Sequence, residues 1–165
     1  MREITIGIGG AAGDGLDKSG DTLAKTSGRL GLYVYAYNSY QSVIRGGHIW
    51  LRVRIAEHKV HSHGDGLNVL IALNQDSIER HASEVNSGGA VIYNSDKFKL
   101  DPVLLRDNVL SVPLPVTTIT KSFGKVQPVM QNTVALGGLM FLAGLGFDTV
   151  VGVLEDTFKH KGQAV

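Results

Sequence analysis

Closely spaced glycines near the start of this chain are the residues best suited to bind an anion. Five glycines fall within residues 7–15, after isoleucines at positions 4, 6 and 8 that alternate with small or polar residues. This alternation predicts a β-strand, and leucines at positions 16, 23 and 30 predict one face of a helix. Glycine lets the backbone approach a ligand closely, and a helix N-terminus attracts negative charge. We therefore predict a phosphate-binding turn formed by Gly9, Gly10, Gly13, Asp14 and Gly15.

Two other interpretations of this glycine-rich stretch remain open. Gly7, Gly9 and Ala12 fit the dinucleotide-binding pattern, with alanine as the small variant of its third glycine. A tight strand-to-helix turn without a ligand is the simplest alternative, because such motifs also occur by chance. A carboxylate beside a phosphate would repel it unless it caps the helix, so we expect Asp14 or Asp17 to be the cap.

A second candidate binding element is Arg45 followed by two glycines, Gly46 and Gly47. A guanidinium group on a flexible backbone suits the bidentate binding of a carboxylate or a phosphate. A turn in which Arg45 forms a structural ion pair is equally compatible with these residues. Both interpretations stay open at this point.

Composition limits the classes of function that this chain can have. Its 165 residues, 43% of them hydrophobic, are enough for one domain spanning residues 1–165. Sixteen basic and fifteen acidic residues nearly cancel, so we expect neither a nucleic acid nor a membrane as partner. The chain contains no cysteine, so by itself it cannot hold an iron–sulfur cluster or a thiolate zinc site. We predict a cytoplasmic protein, either a complete subunit or a fragment of a longer chain.

The order of apolar runs and turn residues predicts an α/β fold. Helices are expected between several of the strands, and the first strand, helix and second strand should form a parallel crossover. The predicted architecture is a three-layer α/β/α domain with a mostly parallel, Rossmann-like sheet of five or more strands. The strands are predicted at residues 4–8, 32–37, 49–55, 67–73, 90–94 and 109–114.

Several local expectations accompany this architecture. Residues 38–42 should form a polar loop at the carboxyl end of the second strand, where such sheets place ligands. Arg52 and Arg54 alternate with apolar residues, so one face of the third strand should be wet or contact another chain. Another element should pack closely against Gly137 and Gly138 in a long apolar helix. Asp148 and Thr149 should cap the last helix.

Taken together, these motifs resemble the gamma component of 2-oxoacid:ferredoxin oxidoreductases, including the form fused to the start of an alpha subunit. The resemblance covers nearly the whole chain, and the arginine with two glycines after the glycine-rich start is its most specific part. The residues that carry it are Gly7–Gly15, Gly31–Val34, Ser42–His48, Asp65–Leu73 and Asn132–Gly137.

The resemblance implies a component of an enzyme that oxidatively decarboxylates a 2-oxoacid to acyl-coenzyme A, carbon dioxide and reduced ferredoxin. It implies that the chain assembles with alpha, beta and possible delta subunits into an oligomeric complex, and that this complex reduces ferredoxin. It also implies that the isolated chain gives no turnover. Thiamine diphosphate, magnesium and iron–sulfur clusters would lie in those partner domains or chains. The gamma component serves assembly and the coenzyme A side, with Arg45 as a contact near the interdomain cleft and no catalytic residue.

Two alternatives to this function stay open: a free-standing nucleotide-binding or regulatory module, and a structural interface domain without a ligand. A dinucleotide-binding module would need an acidic residue after the second strand, and this chain has Asn38 at that position instead. Thiamine diphosphate binding by Gly64–Gly66 and Asn94 is rejected because a strand, not a helix, is predicted directly after the triplet. We expect the histidines at positions 58, 61 and 63 to be solvated rather than bound to a metal.

Overall fold

A computed structural model describes residues 3–12, 15–40, 47–124 and 128–159 of the chain. Two short 3-10 helices span Ala82–Glu84 and Pro102–Leu104. The strands are β1 (Glu3–Ala11), β2 (Tyr33–Tyr40), β3 (His48–Ala56), β4 (Leu67–Ala72), β5 (Val85–Asn94) and β6 (Leu110–Leu114). The helices are α1 (Leu16–Arg29), α2 (Gln75–His81), α3 (Val116–Lys121), α4 (Pro128–Ala143) and α5 (Phe147–Phe158).

The six strands form one sheet in the order β2-β3-β1-β4-β5-β6. Only β3 runs against the other five, because it pairs in antiparallel fashion with both β2 and β1. The pairs β1–β4, β4–β5 and β5–β6 are parallel. The predicted mostly parallel α/β sheet is thus confirmed. The predicted parallel crossover is also borne out, since β1 and β2 run in the same direction with α1 between them in the chain, and the structure adds that β3 lies between the two strands in the sheet.

Helices cover both faces of the sheet, as the three-layer prediction requires. On one face, α1, α4 and α5 enclose a core that includes Ile6, Ile8 and Leu139. On the other face, α2 and the chain around it bury Leu70 and Val91. Each of these large side chains contributes about 1.5–3 kcal/mol when it is fully removed from water. The two cores hold β1 and β4 at the centre of the molecule.

The buried strand β4 and the edge strand β6 agree with their sequence patterns. Every residue of β4 is buried except Asn68, whose Oδ1 accepts a hydrogen bond from the Thr5 backbone N–H at 2.8 Å. Pro113 lies in β6, at one edge of the sheet, where its missing N–H leaves no partner unsatisfied. Local hydrophobic pattern was sufficient for these two elements.

Element ends differ from the prediction at three places. The α1 helix has Gly15 as its N-cap, with no side-chain cap, and Asp17 lies within the first turn. Asp17 is therefore not the cap, and Asp14 lies outside the described residues. The polar loop expected at residues 38–42 is strand up to Tyr40. The last helix begins after Gly146 without a side-chain cap, so Asp148 only adds negative charge to its first turn.

The arginines of β3 form ion pairs within the chain, which corrects the expectation of a wet or partner-facing strand. Arg52 is only 7% exposed and donates to Glu84 Oε2 and to the Gly64 carbonyl, each at 2.9 Å. Arg54 donates through two nitrogens to the Glu3 carboxylate, also at 2.9 Å. These ion pairs neutralise the charges that alternate along the strand.

The small-residue helix packs closely at one of its two glycines. A Cβ atom on Gly138 would lie 2.9 Å from Leu114 Cδ1 of β6, so a larger residue there would push the two elements apart. A Cβ atom on Gly137 would meet nothing within 4 Å. Within the described part of the chain, no helix is both long enough and apolar enough to cross a membrane.

Candidate ligand crevice at the carboxyl edge of the sheet

The strands β1, β4 and β5 are parallel, so their carboxyl ends lie at the same edge of the sheet. The chain leaves β1 toward α1 on one face and leaves β4 toward α2 on the opposite face. Such a divergence opens a crevice between the two connections, and open α/β sheets bind their ligands at this point. We take this crevice as the candidate functional site.

A cavity of about 370 Å³ lies in the crevice. That volume is at the lower end of small-molecule sites, which span about 300–1,000 Å³. Lys97 is the one cation among the described lining residues, and no carboxylate is present among them. An anionic ligand therefore fits the charge of this cavity better than a cation. The apolar floor is formed by Ile71, Ile92, Phe98, Val116 and Ala135, and the polar groups come from Asn74, Asn94, Lys97, Gln131 and Asn132.

Two asparagines at the strand ends shape the walls of the cavity. The Asn74 Oδ1 accepts hydrogen bonds from the Ser77 N–H at 2.8 Å and the Ser77 hydroxyl at 2.6 Å, and so caps α2. The Asn94 Nδ2 donates to the Thr117 hydroxyl at 3.1 Å, while its Oδ1 accepts from the Asp96 N–H at 3.1 Å. These bonds fix the Asn74 and Asn94 side chains, and the start of each connection, in the walls of the cavity.

Gly9 and Gly10 lie inside the sheet and not in the turn, which corrects their predicted position. Gly9 stands between β3 and β4, and its carbonyl accepts a hydrogen bond from the Leu73 N–H at 2.8 Å. Gly10 is paired with β3, and the next residues stay bound to that strand through the Ala12 N–H and the Gly47 carbonyl at 3.0 Å. The Ala12 amide is therefore already used by the protein, and the turn begins only after β1 ends.

Glycines in β1 are required by packing on the outer face of the sheet. A Cβ atom on Gly7 would collide with the indole ring of Trp50. A Cβ atom on Gly9 would lie 2.6 Å from the Ser77 Oγ, at the first turn of α2. Sequence reasoning attributed both glycines to a ligand, but their neighbours in the fold already account for them.

Gly15 does border the crevice. It has a left-handed φ of 78°, which residues with a side chain rarely adopt, and a Cβ atom there would lie 3.3 Å from the Asn132 Nδ2. Gly15 is also the N-cap of the fourteen-residue α1, so the positive end of this helix dipole lies next to a cavity wall. Gly13 and Asp14 lie outside the described residues, between Gly15 and the tip of β1.

The second predicted binding element, the arginine followed by two glycines, lies at the same edge of the sheet at its last residue, Gly47. Gly47 precedes β3, and its carbonyl holds the Ala12 amide at the tip of β1. Arg45 and Gly46 lie outside the described residues. The structure therefore brings together the end of the arginine–glycine motif and the end of the glycine-rich strand.

Sequence reasoning missed Asn74 and Lys97 as lining residues and considered Asn94 only as part of a rejected thiamine motif. Asn74 and Asn94 each follow or end a buried apolar run, so the rule that ligands bind at carboxyl ends of strands could have found them. Lys97 lies in an irregular connection, where no periodicity predicts its direction.

The histidines of the connection between β3 and β4 do not converge. His58 Nε2 lies 3.5 Å from a Glu3 carboxylate oxygen, and His63 Nδ1 lies 2.8 Å from the Gly64 carbonyl. Across the described residues, no group of three or more histidine, aspartate or glutamate side chains is placed to hold a metal ion. The triplet Gly64–Gly66 leads directly into β4, which agrees with the rejection of a thiamine diphosphate motif there.

The fold and the crevice define a three-layer α/β domain with a candidate ligand crevice at the switch point of its sheet. The chain belongs to the pyruvate ferredoxin/flavodoxin oxidoreductase family, which matches residues 5–165. This confirms the resemblance seen in the motifs.

Relatives of known name agree with this assignment. Ketoisovalerate oxidoreductase subunit VorA of Methanothermobacter marburgensis is 31% identical, over 100% of this chain and 34% of that subunit. 2-Oxoglutarate synthase subunit KorC of Archaeoglobus fulgidus is 26% identical, over 99% of this chain and 83% of that subunit. The chain spans about a third of the length of the VorA relatives that it matches.

Solved structures give the same picture. The 2-oxoglutarate:ferredoxin oxidoreductase from Magnetococcus marinus, solved with 2-oxoglutarate, coenzyme A and succinyl-CoA bound, superposes with a TM-score of 0.88 at 29% identity, covering 100% of this chain and 28% of that one. The gamma subunit of a keto/oxoacid ferredoxin oxidoreductase from Geobacter sulfurreducens shares the fold, with a TM-score of 0.80 at 24% identity over 94% of this chain and 85% of that one. The chain thus has the fold of these oxidoreductase components, and these matches do not favour a free-standing nucleotide-binding module.

Proposed function

We propose that this chain is the gamma component of an enzyme that converts a 2-oxoacid, coenzyme A and oxidised ferredoxin into acyl-coenzyme A, carbon dioxide and reduced ferredoxin. The chain acts as one domain, residues 1–165, in a cytoplasmic complex with alpha, beta and possible delta subunits. The observation that carries the proposal is the anion-compatible crevice of a chain that matches this oxidoreductase family over residues 5–165.

The crevice serves the coenzyme A side of the reaction. Coenzyme A carries a diphosphate, and Lys97 together with the N-terminus of α1 provides positive charge on two sides of the cavity. The ligand-binding role of Gly13, Asp14, Gly15, Arg45, Gly46 and Gly47 remains part of this proposal. Gly9 and Gly10 contribute by shaping the end of β1, next to Ala11 in the cavity wall.

The redox centres belong to the partners. The full sequence contains no cysteine, the residue that binds iron–sulfur clusters. We assign the clusters, thiamine diphosphate and its magnesium to other domains or chains of the complex. The role of this chain is then to assemble with them and to present coenzyme A.

Large apolar side chains on the α3–α5 side of the molecule support the assembly role. Phe123, Phe141 and Phe147 are all mostly exposed, and α4 is apolar on nearly all sides. A helix of that composition is normally buried on every face. We propose that the other subunits of the oxidoreductase cover this surface.

Reconstitution tests the function directly. The isolated chain should give no turnover with a 2-oxoacid, coenzyme A, thiamine diphosphate and ferredoxin, whereas addition of the partner subunits should give acyl-coenzyme A and reduced ferredoxin. Full activity of the isolated chain, or partner subunits that reach the same rate without it, would overturn the proposal.

Lys97 tests the coenzyme A assignment within the assembled complex. Lys97→Gln removes one charge from the cavity and should raise the KM for coenzyme A about tenfold with little change in kcat, because one charge-assisted bond is lost. Lys59→Gln is the matched control, since Lys59 is exposed in the connection after β3, at the opposite edge of the sheet. Equal KM values for both variants would contradict the proposed site.

A further inference from the structure

A chain of titratable side chains crosses the outer face of β3, outside the cavity. His48 and His81 lie at its centre, with their Nε2 atoms 2.8 Å apart. The His48 Nδ1 faces the Asp76 Oδ2 at 3.2 Å, and the His81 Nδ1 lies 2.6 Å from the Glu84 Oε1. The other Glu84 oxygen accepts from Arg52 at 2.9 Å. The two histidine side chains are 10% and 12% exposed, so water does not easily replace these contacts.

The geometry sets the number of protons on the two rings. The His81 Nδ1 is hydrogen-bonded to a Glu84 carboxylate oxygen, which only accepts, so this nitrogen carries a proton. The His48 Nδ1 has no hydrogen-bond partner among the described residues, but the Asp76 carboxylate 3.2 Å away would repel a lone pair and so favours a proton there too. Two Nε2 atoms at 2.8 Å need one further proton between them, because two lone pairs or two N–H groups would repel. The pair therefore holds three protons on four nitrogens and one positive charge.

The surroundings decide which ring accepts and which donates. Burial, and then the neighbouring His81, lower the pKa of His48, against the opposite effect of Asp76. His48 is therefore the acceptor in the bond between the rings, and His81, whose Nδ1 is bonded to the Glu84 carboxylate, is the donor. The charged groups around the pair are Asp76 and Arg80 from α2, Glu84 after it, and Arg52 from β3. Trp50 stacks on His81 with ring centroids 3.7 Å apart and contributes no charge.

This pair joins elements that border the crevice. His48 is the first residue of β3 and follows Gly47, whose carbonyl holds the Ala12 amide at the tip of β1. His81 is the last residue of α2, whose first turn packs on Gly9. The start of β3 already pairs with the end of β1, and the bond between the two rings additionally ties it to the end of α2.

We propose that His48 and His81 share one proton and act as positioning residues that hold Gly47 against the tip of β1, beside the crevice. The shared proton is independent of the reaction, whereas the effect on coenzyme A rests on the proposed function. The bond is lost when a second proton reaches His48, because two cationic rings then face each other.

Histidine nitrogen NMR spectra of the full chain test the shared proton. At neutral pH we expect three protons on the four nitrogens of the two rings, with both Nδ1 atoms protonated and one proton between the two Nε2 atoms. The His58 ring is the internal control, because its side chain is 60% exposed. Two protons on the four nitrogens, or no proton between the Nε2 atoms, would overturn the proposal.

Variants of the pair test the bond without relying on activity. His48→Gln and His81→Gln should each lower the free energy of unfolding, and the double variant should lose clearly less than the sum of the two losses. His58→Gln should leave it unchanged. Additive losses would show that the two rings do not interact, and would contradict the shared proton.

The KM for coenzyme A of the assembled complex tests the positioning role of His48 and His81. Each single variant should raise the KM for coenzyme A about fivefold with little change in kcat. Coupled stability losses with an unchanged KM would overturn the positioning role and leave the shared proton standing. If Lys97→Gln also leaves the KM unchanged, the coenzyme A assignment of the crevice has failed instead, so the two failures can be distinguished.

Discussion

Glycines of β1 show how one residue type serves two purposes in a single stretch. Gly7 and Gly9 have no side chain because Trp50 and Ser77 occupy the space on that face of the strand. Gly15 instead provides a left-handed backbone at the start of α1, next to Asn132. At this scale the strand glycines are explained by packing, and only the later part of the stretch borders the crevice.

Two glycine-to-alanine variants compare a tightly packed glycine with one that has open space beside it. Gly9→Ala should lower the free energy of unfolding by about 1–3 kcal/mol, because its Cβ would overlap the Ser77 side chain. Gly137→Ala should leave it unchanged or raise it by up to about 1 kcal/mol, since alanine favours helices and nothing lies within 4 Å of the new methyl group. Denaturant unfolding measures both, and an equal effect of the two variants would contradict the packing explanation.

The pH dependence of stability also belongs to the residue scale. Burial and His81 lower the pKa of His48 in the folded chain, so the unfolded chain binds a proton there more readily. The contribution of neutral His48 is complete above the ordinary histidine pKa and is lost as the pH falls through the lowered one. Unfolding measured across pH 4–8 (about the range in which histidines titrate) should show this loss, and His48→Gln should flatten it.

At the scale of elements, α2 depends on a single cap. It has only seven residues, and its first turn is held by the Asn74 side chain, which also lines the cavity. Short helices in water are unstable without such contacts. The cap therefore links the stability of α2 to the shape of the crevice.

Substitution of the cap tests this link. Asn74→Ala should cost about 0.5–2 kcal/mol of stability, whereas Asn74→Asp keeps an oxygen that accepts from the Ser77 N–H and should cost much less. Amide hydrogen exchange should report faster opening of α2 in the alanine variant only. Unchanged exchange in both variants would show that tertiary packing alone maintains the helix.

At the scale of the whole molecule, the two layers of helices differ in their exposed apolar groups. Phe141, 86% exposed, and Phe147 lie on the layer of α4 and α5. Val103, 80% exposed, lies in a 3-10 helix of the connection between β5 and β6. Contiguous exposed apolar surface is a mark of interfaces, and isolated apolar residues are not.

Removing an exposed apolar side chain from the layer of α4 and α5 should therefore weaken assembly with the partner subunits, whereas removing one from the opposite layer should not. Phe141→Ser should weaken co-elution of the chain with its partner subunits, while its own unfolding midpoint stays nearly unchanged. Val103→Ser is the matched control, because it removes an equally exposed apolar side chain from another region. Weaker assembly of both variants, or of neither, would contradict an interface on α4 and α5.

Much of the fold could be predicted from local pattern. The alternation in β1, the continuous apolar run of β4, the proline in β6 and the left-handed Gly31 after α1 each predicted an element or its end. These features are local, since they depend on backbone geometry and on which face of one element is buried. The mostly parallel direction of the sheet followed from the alternation of strands and helices.

The strand order and the residues that line the crevice could not be predicted from local sequence patterns. The insertion of β3 between β1 and β2 is a pairing between distant segments, and no local periodicity contains it. Lys97 reached the cavity, and Arg52 reached Glu84, only because the sheet brought separate connections together. These errors therefore concerned contacts between residues that are far apart in the sequence, whereas the errors at helix caps and at the end of β2 were local.

By itself, the sequence determined the family, the α/β class and the positions of most strands, because motifs and hydrophobic periods are properties of short segments. The tertiary structure alone decided that Gly7 and Gly9 serve packing, that Lys97 faces the crevice and that His48 meets His81. The physical reason is that burial, charge and proton sharing depend on which distant groups become neighbours, and strand order sets these neighbours only when the chain folds.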